Sequence, residues 1–434
     1  MQVLPQRQLL AYGALGLPLA MAALPIYVHV PRLYAEATGM SLGLLGGLLL
    51  AARLLDAGVD PLLGVWSDRS PRRQRLILLA LPFLALGMLA LLHPPPAGGV
   101  LSAPLWMLLA MAATYFGFSL ASIAYQAWGA ELGGDAGQRT RLVASREGFG
   151  LLGVVFAAAL PGLLSSDLAQ GLSWLAWGFL PLLFLLATIT LLASPPSPPR
   201  LPANVQWQLA LRQVLHDRRF RYLLTVFVLN GIAAALPATL VLFFIADVLQ
   251  AESWSGAFLS IYFVSGIAFL PFWVALARRF GRVPVWMAAM LLAVISFVWA
   301  WGLGAGDVWQ FAVVCLFSGA ALGADLTLPA ALLAEITETP ETSGNGANGS
   351  NPQARQAQAG GYFGWWNLVA KLNLALAAGL ALPLLDLAGY RPGVADVDVA
   401  AIFALSTVYC LLPLLFKAIA ITLAWRWRKI LEAS

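Results

Sequence analysis

Twelve long apolar runs dictate the solvent in which this chain folds. They fall at 9–33, 41–66, 76–94, 103–132, 139–165 and 171–193, and after a polar stretch at 219–248, 255–277, 284–305, 308–336, 360–388 and 399–425. A helix needs roughly 20 apolar residues to cross the hydrocarbon of a bilayer. Peptide groups in that medium must satisfy one another, which a helix achieves within its own segment. The runs far exceed the roughly 10-residue alternating segments of a membrane barrel, and several exceed a bare span, which predicts tilt or extension beyond the hydrocarbon. Composition agrees: 60% of residues are apolar and 10% charged, against about 25% charged in soluble domains. The expectation is an all-α membrane protein of twelve transmembrane helices.

The loops set its orientation. Alternate loops carry Arg69, Arg72, Arg73 and Arg75, then Arg139 and Arg141, Arg200 to Arg221, Arg278, Arg279 and Arg282, and finally Arg355 and the tail Arg426, Arg428 and Lys429. The intervening loops hold acids (Asp167, Asp247, Glu252, Asp307, Asp396) or no charge. By the positive-inside rule both termini are cytoplasmic, as an even number of spans requires. The net charge of +5 therefore reads as topology rather than nucleic-acid binding. Arg7 precedes a full-length span, which does not fit a cleavable signal. The expected location is the plasma (inner) membrane, multi-pass. A Pro-rich, amphipathic stretch over 194–218, with Trp207, Leu209, Leu211 and Val214, reads as a cytoplasmic linker between two six-helix halves, 1–193 and 219–434. A second polar insert, 338–359, is rich in Gly, Asn and Gln. The basic loop Ser67–Arg75 has a counterpart at Arg278–Arg282, and Arg146 in one half is echoed by Lys371 in the other. Related six-helix halves around a central cavity are the plan of the major facilitator fold.

Several chemistries are excluded. Cys315 and Cys410 lie in apolar runs and three histidines are scattered, so neither a disulfide framework nor a Cys/His metal site is expected. Gly39-Met-Ser41-Leu-Gly43 fits the nucleophile-elbow spacing formally, but lies between two spans without a strand or His/Asp partners. No Walker A sequence is present, and the formal glycosylation site Asn348-Gly-Ser350 falls in a loop expected to be cytoplasmic. The expectation is no enzyme, no catalytic residue and no cofactor, and a small-molecule substrate and the bilayer, but no nucleic acid, as partners of a monomer.

What remains are ionisable groups inside the runs, each costing at least about 2.5–3.5 kcal/mol on insertion. The second run reads Arg53-Leu-Leu-Asp56-Ala-Gly-Val-Asp60-Pro61. Asp56 and Asp60, four apart, share a helix face with Arg53. Carboxylates about 6 Å apart along the axis repel, so one holds a proton or both share a cation. That is the electrostatic requirement of a coupling-ion site; a structural pair with Arg53 or another helix is the alternative. Arg146 has three readings: substrate contact, neutralisation of Asp56 or Asp60, or snorkelling to the cytoplasm. Lys371 lies too deep for easy snorkelling, and Asp325 is either a site residue or a helix-packing one. Lys417 reads as peripheral. Gln126, Trp128, Trp366, Asn367 and Asn230 are candidate cavity residues, the aromatics offering flat faces to a sugar ring and the amides hydrogen bonds; interface anchoring is the competing reading for the aromatics.

The second-run motif, continued by Leu62-Leu-Gly64 and Ser67-Asp68-Arg69, resembles the glycoside–pentoside–hexuronide:cation symporters. So do Tyr125-Gln-Ala-Trp-Gly-Ala-Glu131-Leu, Gln138-Arg139-Thr140, Ser145-Arg146, Leu229-Asn230-Gly231, Leu236-Pro237-Ala238-Thr239 and Trp366-Asn-Leu-Val-Ala-Lys371-Leu. The resemblance is nearly full length. It implies cation-coupled symport by alternating access, with Asp56, Asp60 and the Ser119 hydroxyl at the cation site, Arg146 beside substrate and Lys371 in coupling. Two departures matter. Val59 stands where sodium-using members carry Asn, which removes an oxygen ligand and favours a proton over sodium. Ser122 and the Pro18–Ala20 region lack the family's sugar-binding acids. A sugar or sugar derivative is the expected cargo; a lipid or amphiphile carrier on the same fold, or a non-transporting receptor, are the alternatives.

Overall fold

The computed structural model describes residues 4–38, 40, 42–95, 102–132, 135–165, 167–197, 214–337, 359–390 and 399–432. The amphipathic stretch at Trp207, the elbow-like residues Gly39 and Ser41, and most of the polar insert with Asn348 lie outside the described residues. Every described regular element is helical: α1 Gln6–Ala14, α2 Gly16–Val28, α3 Val30–Thr38, α4 Leu42–Arg69, α5 Arg73–Leu91, α6 Ala103–Leu132, α7 Ala136–Leu164 and α8 Leu168–Ala193. Then follow α9 Arg218–Phe243, α10 Ser255–Phe280, α11 Arg282–Ala300, α12 Val308–Ile336, α13 Ala359–Leu387 and α14 Val399–Leu431. Among the described residues, ten helical stretches are long and apolar enough to cross a bilayer. Eleven of the twelve runs coincide with one long helix each, α9 continuing into a π-helical turn, Phe244–Val248.

The first run departs from a single unbroken span. It breaks at Leu15 and at His29, giving α1, α2 and α3 in series. Pro18 and Pro25, without N–H groups, cannot serve the Ala14 and Met21 carbonyls. At the first break a side chain completes the backbone bonding. The Leu15 amide donates to the Thr190 hydroxyl at 3.1 Å, and that hydroxyl donates to the Ala11 carbonyl at 2.7 Å. A continuous helix would join Leu15 N–H to Ala11 C=O directly; here α8 supplies the bridge.

The described chain forms two compact units, Met1–His216 with Ala334–Leu368, and Asp217–Leu333 with Val369–Ser434. In the first, α5 runs along α6 at very close range. A Cβ on Gly87 would strike the Thr114 backbone, and one on Gly117 the Leu84 backbone. Small residues allow this approach, which replaces the hydrophobic drive that lipid cannot supply. In the second unit, α14 packs along α9 and α11. Its core stacks Phe244 on Tyr409 (ring centroids 4.2 Å apart) and sets Phe258 edge-on to Phe311 at 4.9 Å. Three helices begin on an aspartate N-cap: Asp135 accepts from Gln138 N–H at 2.7 Å, and Asp167 and Asp217 from Ala169 and Phe220 N–H at 3.1 Å each. Each carboxylate satisfies an amide at the helix start that the helix itself leaves without a partner. Outward-facing leucines, Leu192 and Leu387 among them at 81% and 85% exposure, form the surface that lipid covers.

Replacing Thr190 by Val keeps the shape but leaves the Leu15 amide and Ala11 carbonyl without their bridge, a loss of about 1–3 kcal/mol. Thermal unfolding in detergent should show a lower midpoint for Thr190→Val and a near-unchanged one for Thr190→Ser.

Candidate transport site

Helix α4 carries the acid pair into the interior of the first unit. Asp60 is completely buried and Asp56 is 9% exposed, although each lies in a helix of Leu, Ala and Gly that could have presented them to solvent only at its ends. Asp56 Oδ1 accepts the Ser119 hydroxyl of α6 at 2.8 Å. The three residues expected at a cation site thus include a direct contact between two of them. Arg53, one turn earlier on α4, is half-buried.

The end of α4 is held by a denser set of charges. Arg73, with no exposed surface, forms ion pairs with Asp68 at 2.8 Å and with Glu131, and donates to the Ser67 hydroxyl at 2.5 Å. Asp68 in turn accepts the backbone amides of Gly360 and Gly361, at 2.6 and 2.7 Å. These amides lie in the first turn of α13, so one carboxylate both caps a helix N-terminus and neutralises an arginine. The approach needs glycine: a Cβ on Gly64 would meet the Gly360 backbone, and one on Gly360 the Gly64 carbonyl. In the sequence this loop reads only as a basic, cytoplasm-marking segment. Its pairing depends on a residue, Gly360, nearly 300 positions away.

Arg146 on α7 engages its neighbour Glu147 through Nε at 3.0 Å and Nη2 at 2.5 Å, and its side chain is 11% exposed. Of the three readings of this arginine, the geometry displays local pairing with an acid that none of them named. Nearby, Tyr12 and Tyr125 donate their hydroxyls to each other's carbonyls. Trp128 is fully buried against Tyr12, and its indole N–H donates to the Pro195 carbonyl at 3.2 Å. Gln126 and Asn367, both read as hydrogen-bonding cavity groups, come together: Gln126 Nε2 donates to Asn367 Oδ1 at 3.3 Å. Asn367 also donates to the Phe363 carbonyl at 2.9 Å. Trp366 is 6% exposed.

The second unit holds its own polar centre, and Lys417 is its hub. Instead of lying peripherally, Lys417 on α14 is 3% exposed. It donates to Asn230 Oδ1 of α9 at 2.7 Å and pairs with Asp325 Oδ2 of α12 at 2.9 Å. Asp325 Oδ1 accepts the indole N–H of Trp286 on α11, at 2.8 Å. Four helices therefore converge on one buried ion pair. The signal for Lys417 was present in the sequence, as a cation near the middle of an apolar run. What hid its role was the absence of any local acid: its partner lies 92 residues earlier. Lys371 is half-buried on α13.

Breaking this pair from one side strands a charge in hydrocarbon. Lys417→Met should lower stability by about 3–5 kcal/mol, and Asp325→Asn in the same chain should restore most of it. The unfolding midpoints of the single and double variants, measured in one detergent, check this.

The family model described as MFS/sugar transport protein matches residues 9–429. Among solved structures the chain is similar to a bacterial homologue of the iron transporter ferroportin in an outward-facing state. That match has a TM-score of 0.70 at 18% identity, over 98% of this chain and 100% of that one. It is also similar to the E. coli fucose:proton symporter FucP (0.68, 13% identity, 95% and 98%) and to the human organic anion transporter TETRAN (0.66, 19% identity, 95% and 100%). At such identities the likeness concerns the fold, and the three proteins named carry different cargoes. No curated protein matches in sequence. A nearly full-length family match, together with an all-helical fold that has ten candidate spans among the described residues, makes this chain a multi-pass membrane protein that belongs to the MFS/sugar transport protein family.

Proposed function

We propose that the chain is a symporter that couples the gradient of a cation, a proton in preference to sodium, to the movement of a sugar or sugar derivative by alternating access. The observation that carries this reading is the buried acid pair on α4, with Asp56 held by the Ser119 hydroxyl at 2.8 Å and Asp60 without exposed surface. Two carboxylates one turn apart in a low-dielectric interior cannot both remain charged without a cation. Uptake of one proton relieves their repulsion, and its release restores it. Occupancy of the pair therefore changes the charge inside α4, and a change of that kind can bias an equilibrium between two conformations. Val59, in place of an amide, offers sodium one oxygen fewer, whereas a proton needs a single carboxylate.

The remaining roles follow from chemistry. Gln126 and Asn367 supply amide groups suited to hydroxyls, and Asn230, Trp128, Trp366 and Arg146 complete the proposed substrate set. Arg53 balances charge as the acid pair loads and unloads, and Lys371 and Asp325 are further coupling residues on this reading. The family model, whose description names sugar transport, supports the cargo class, and a fucose:proton symporter among the structural neighbours lends support to proton coupling on this fold. The carrier would work as a monomer in the plasma (inner) membrane with both termini cytoplasmic, without a cofactor and without catalysis.

Proteoliposomes with an imposed proton or sodium gradient and a panel of labelled sugars provide the test. Asp56→Asn and Asp60→Asn should each abolish uphill accumulation while retaining exchange or binding. Full gradient-driven accumulation by both variants would rule the reading out. Ser119→Ala, which removes a hydrogen bond donated to the charged form of Asp56, should raise the apparent affinity for a coupling proton by roughly tenfold without abolishing transport.

A further inference from the structure

Inside the second unit lies a cavity of about 150 Å³, bounded by α9, α10, α11, α12 and α14. Its walls are largely carbon. Phe258, Phe263, Phe297 and Phe311 line it together with Tyr262 and Tyr409, and Ala233, Ala234 and Ala293 leave the space that larger side chains would fill. Asp325 and Lys417 are also on its lining. The Ser318 hydroxyl, another lining group, already donates to the Val314 carbonyl of its own helix at 2.7 Å.

Size, lining and charge each restrict what can enter. An apolar cavity of about 150 Å³ accommodates a benzene-sized molecule. A hexose carries a hydroxyl on nearly every carbon, and burying those against phenyl rings leaves them without partners. The charged end is more specific. Lys417 has three N–H donors, and two are engaged by Asn230 and Asp325. Each Asp325 oxygen accepts one bond, from Trp286 or Lys417, and keeps acceptor capacity. Because the pair sums to zero charge, an ionic ligand would add an uncompensated charge to a buried site. A hydroxyl both accepts and donates, so it can meet ammonium and carboxylate together.

We propose that this cavity is a ligand site for an uncharged molecule made of one apolar ring and a hydroxyl, a phenol or a compact cyclic alcohol. The ring lies among the phenylalanines and the hydroxyl on the Asp325–Lys417 pair. The step from ligand to cargo rests on the carrier reading above. On that reading the transported molecule carries such a ring, as a hydroxylated amphiphile or as the apolar portion of a sugar derivative.

Fluorine NMR on the purified full chain in detergent tests the site at equilibrium, with 4-fluorophenol, fluorobenzene and 4-fluorobenzoate as probes. Wild-type protein should bind 4-fluorophenol saturably, at least tenfold more tightly than fluorobenzene and more tightly than 4-fluorobenzoate. Ala234→Leu and Ala293→Leu, on different helices, should each fill the cavity and reduce binding of both neutral probes at least tenfold, with helical content and unfolding midpoint retained as the check on folding. The double variant Asp325→Asn/Lys417→Met should keep ring binding and lose the preference for phenol.

The proposal is overturned by any of four results. These are no saturable binding by wild type, equal binding by folded cavity-filling variants, stronger binding of the benzoate, or a phenol preference that survives removal of the pair. Binding as expected without any gradient-driven uptake would refute the carrier reading and leave the site standing. Sugar uptake with no probe binding would do the reverse.

Discussion

A peptide N–H or C=O left without a partner in hydrocarbon costs several kcal/mol, and nearly every feature of this chain answers to that penalty. The long runs are helical because a helix closes its own hydrogen bonds. Where prolines break that closure in the first run, the remedy comes from elsewhere in the fold: the Thr190 hydroxyl stands between Leu15 N–H and Ala11 C=O. At the starts of α7, α8 and α9, Asp135, Asp167 and Asp217 supply the missing acceptors. Asp68 does the same for α13 with two amides at once.

The same medium governs charge. The described interior places its acids and bases in contact wherever several helices can meet, as with Arg73 between Asp68 and Glu131, and Lys417 between Asp325 and Asn230. The two clusters differ in form. The first lies at helix ends and ties α4, α5, α6 and α13 together through side chains and amides. The second sits within a bundle, adjoining an apolar cavity, where its zero net charge makes it compatible with carbon neighbours. The acid pair on α4 is of another kind, because two carboxylates share one face and the reading proposed above has their burial demand a proton or cation. In the proposed mechanism that demand is the source of coupling.

Much of this was legible from residue order. Periodicity plays little part in so apolar a chain; run length alone places the helices, and boundaries such as 103–132 and 308–336 coincide with α6 and α12. Asp56 and Asp60 stood out because their spacing is local and their cost in lipid is large. Ser119 followed only from the family likeness, and the contact with Asp56 gives it a physical basis. Lys417 was misjudged, since a cation viewed along one helix does not reveal an acid on another. Arg73 and Glu131 were unreadable for the same reason, lying 58 residues apart with two helices between their backbones and a shared interior.

The sequence by itself determined the solvent, the helices and the presence of intramembrane charge, because those depend on composition and on separations of a few residues along one axis. Tertiary structure alone decided which charge meets which, where a hydroxyl mends a broken helix, and that the second unit encloses an aromatic cavity ending on an ion pair. Those features arise from side chains on four or five helices converging at distances of 3 to 5 Å. Run length and local spacing carry no information about that convergence.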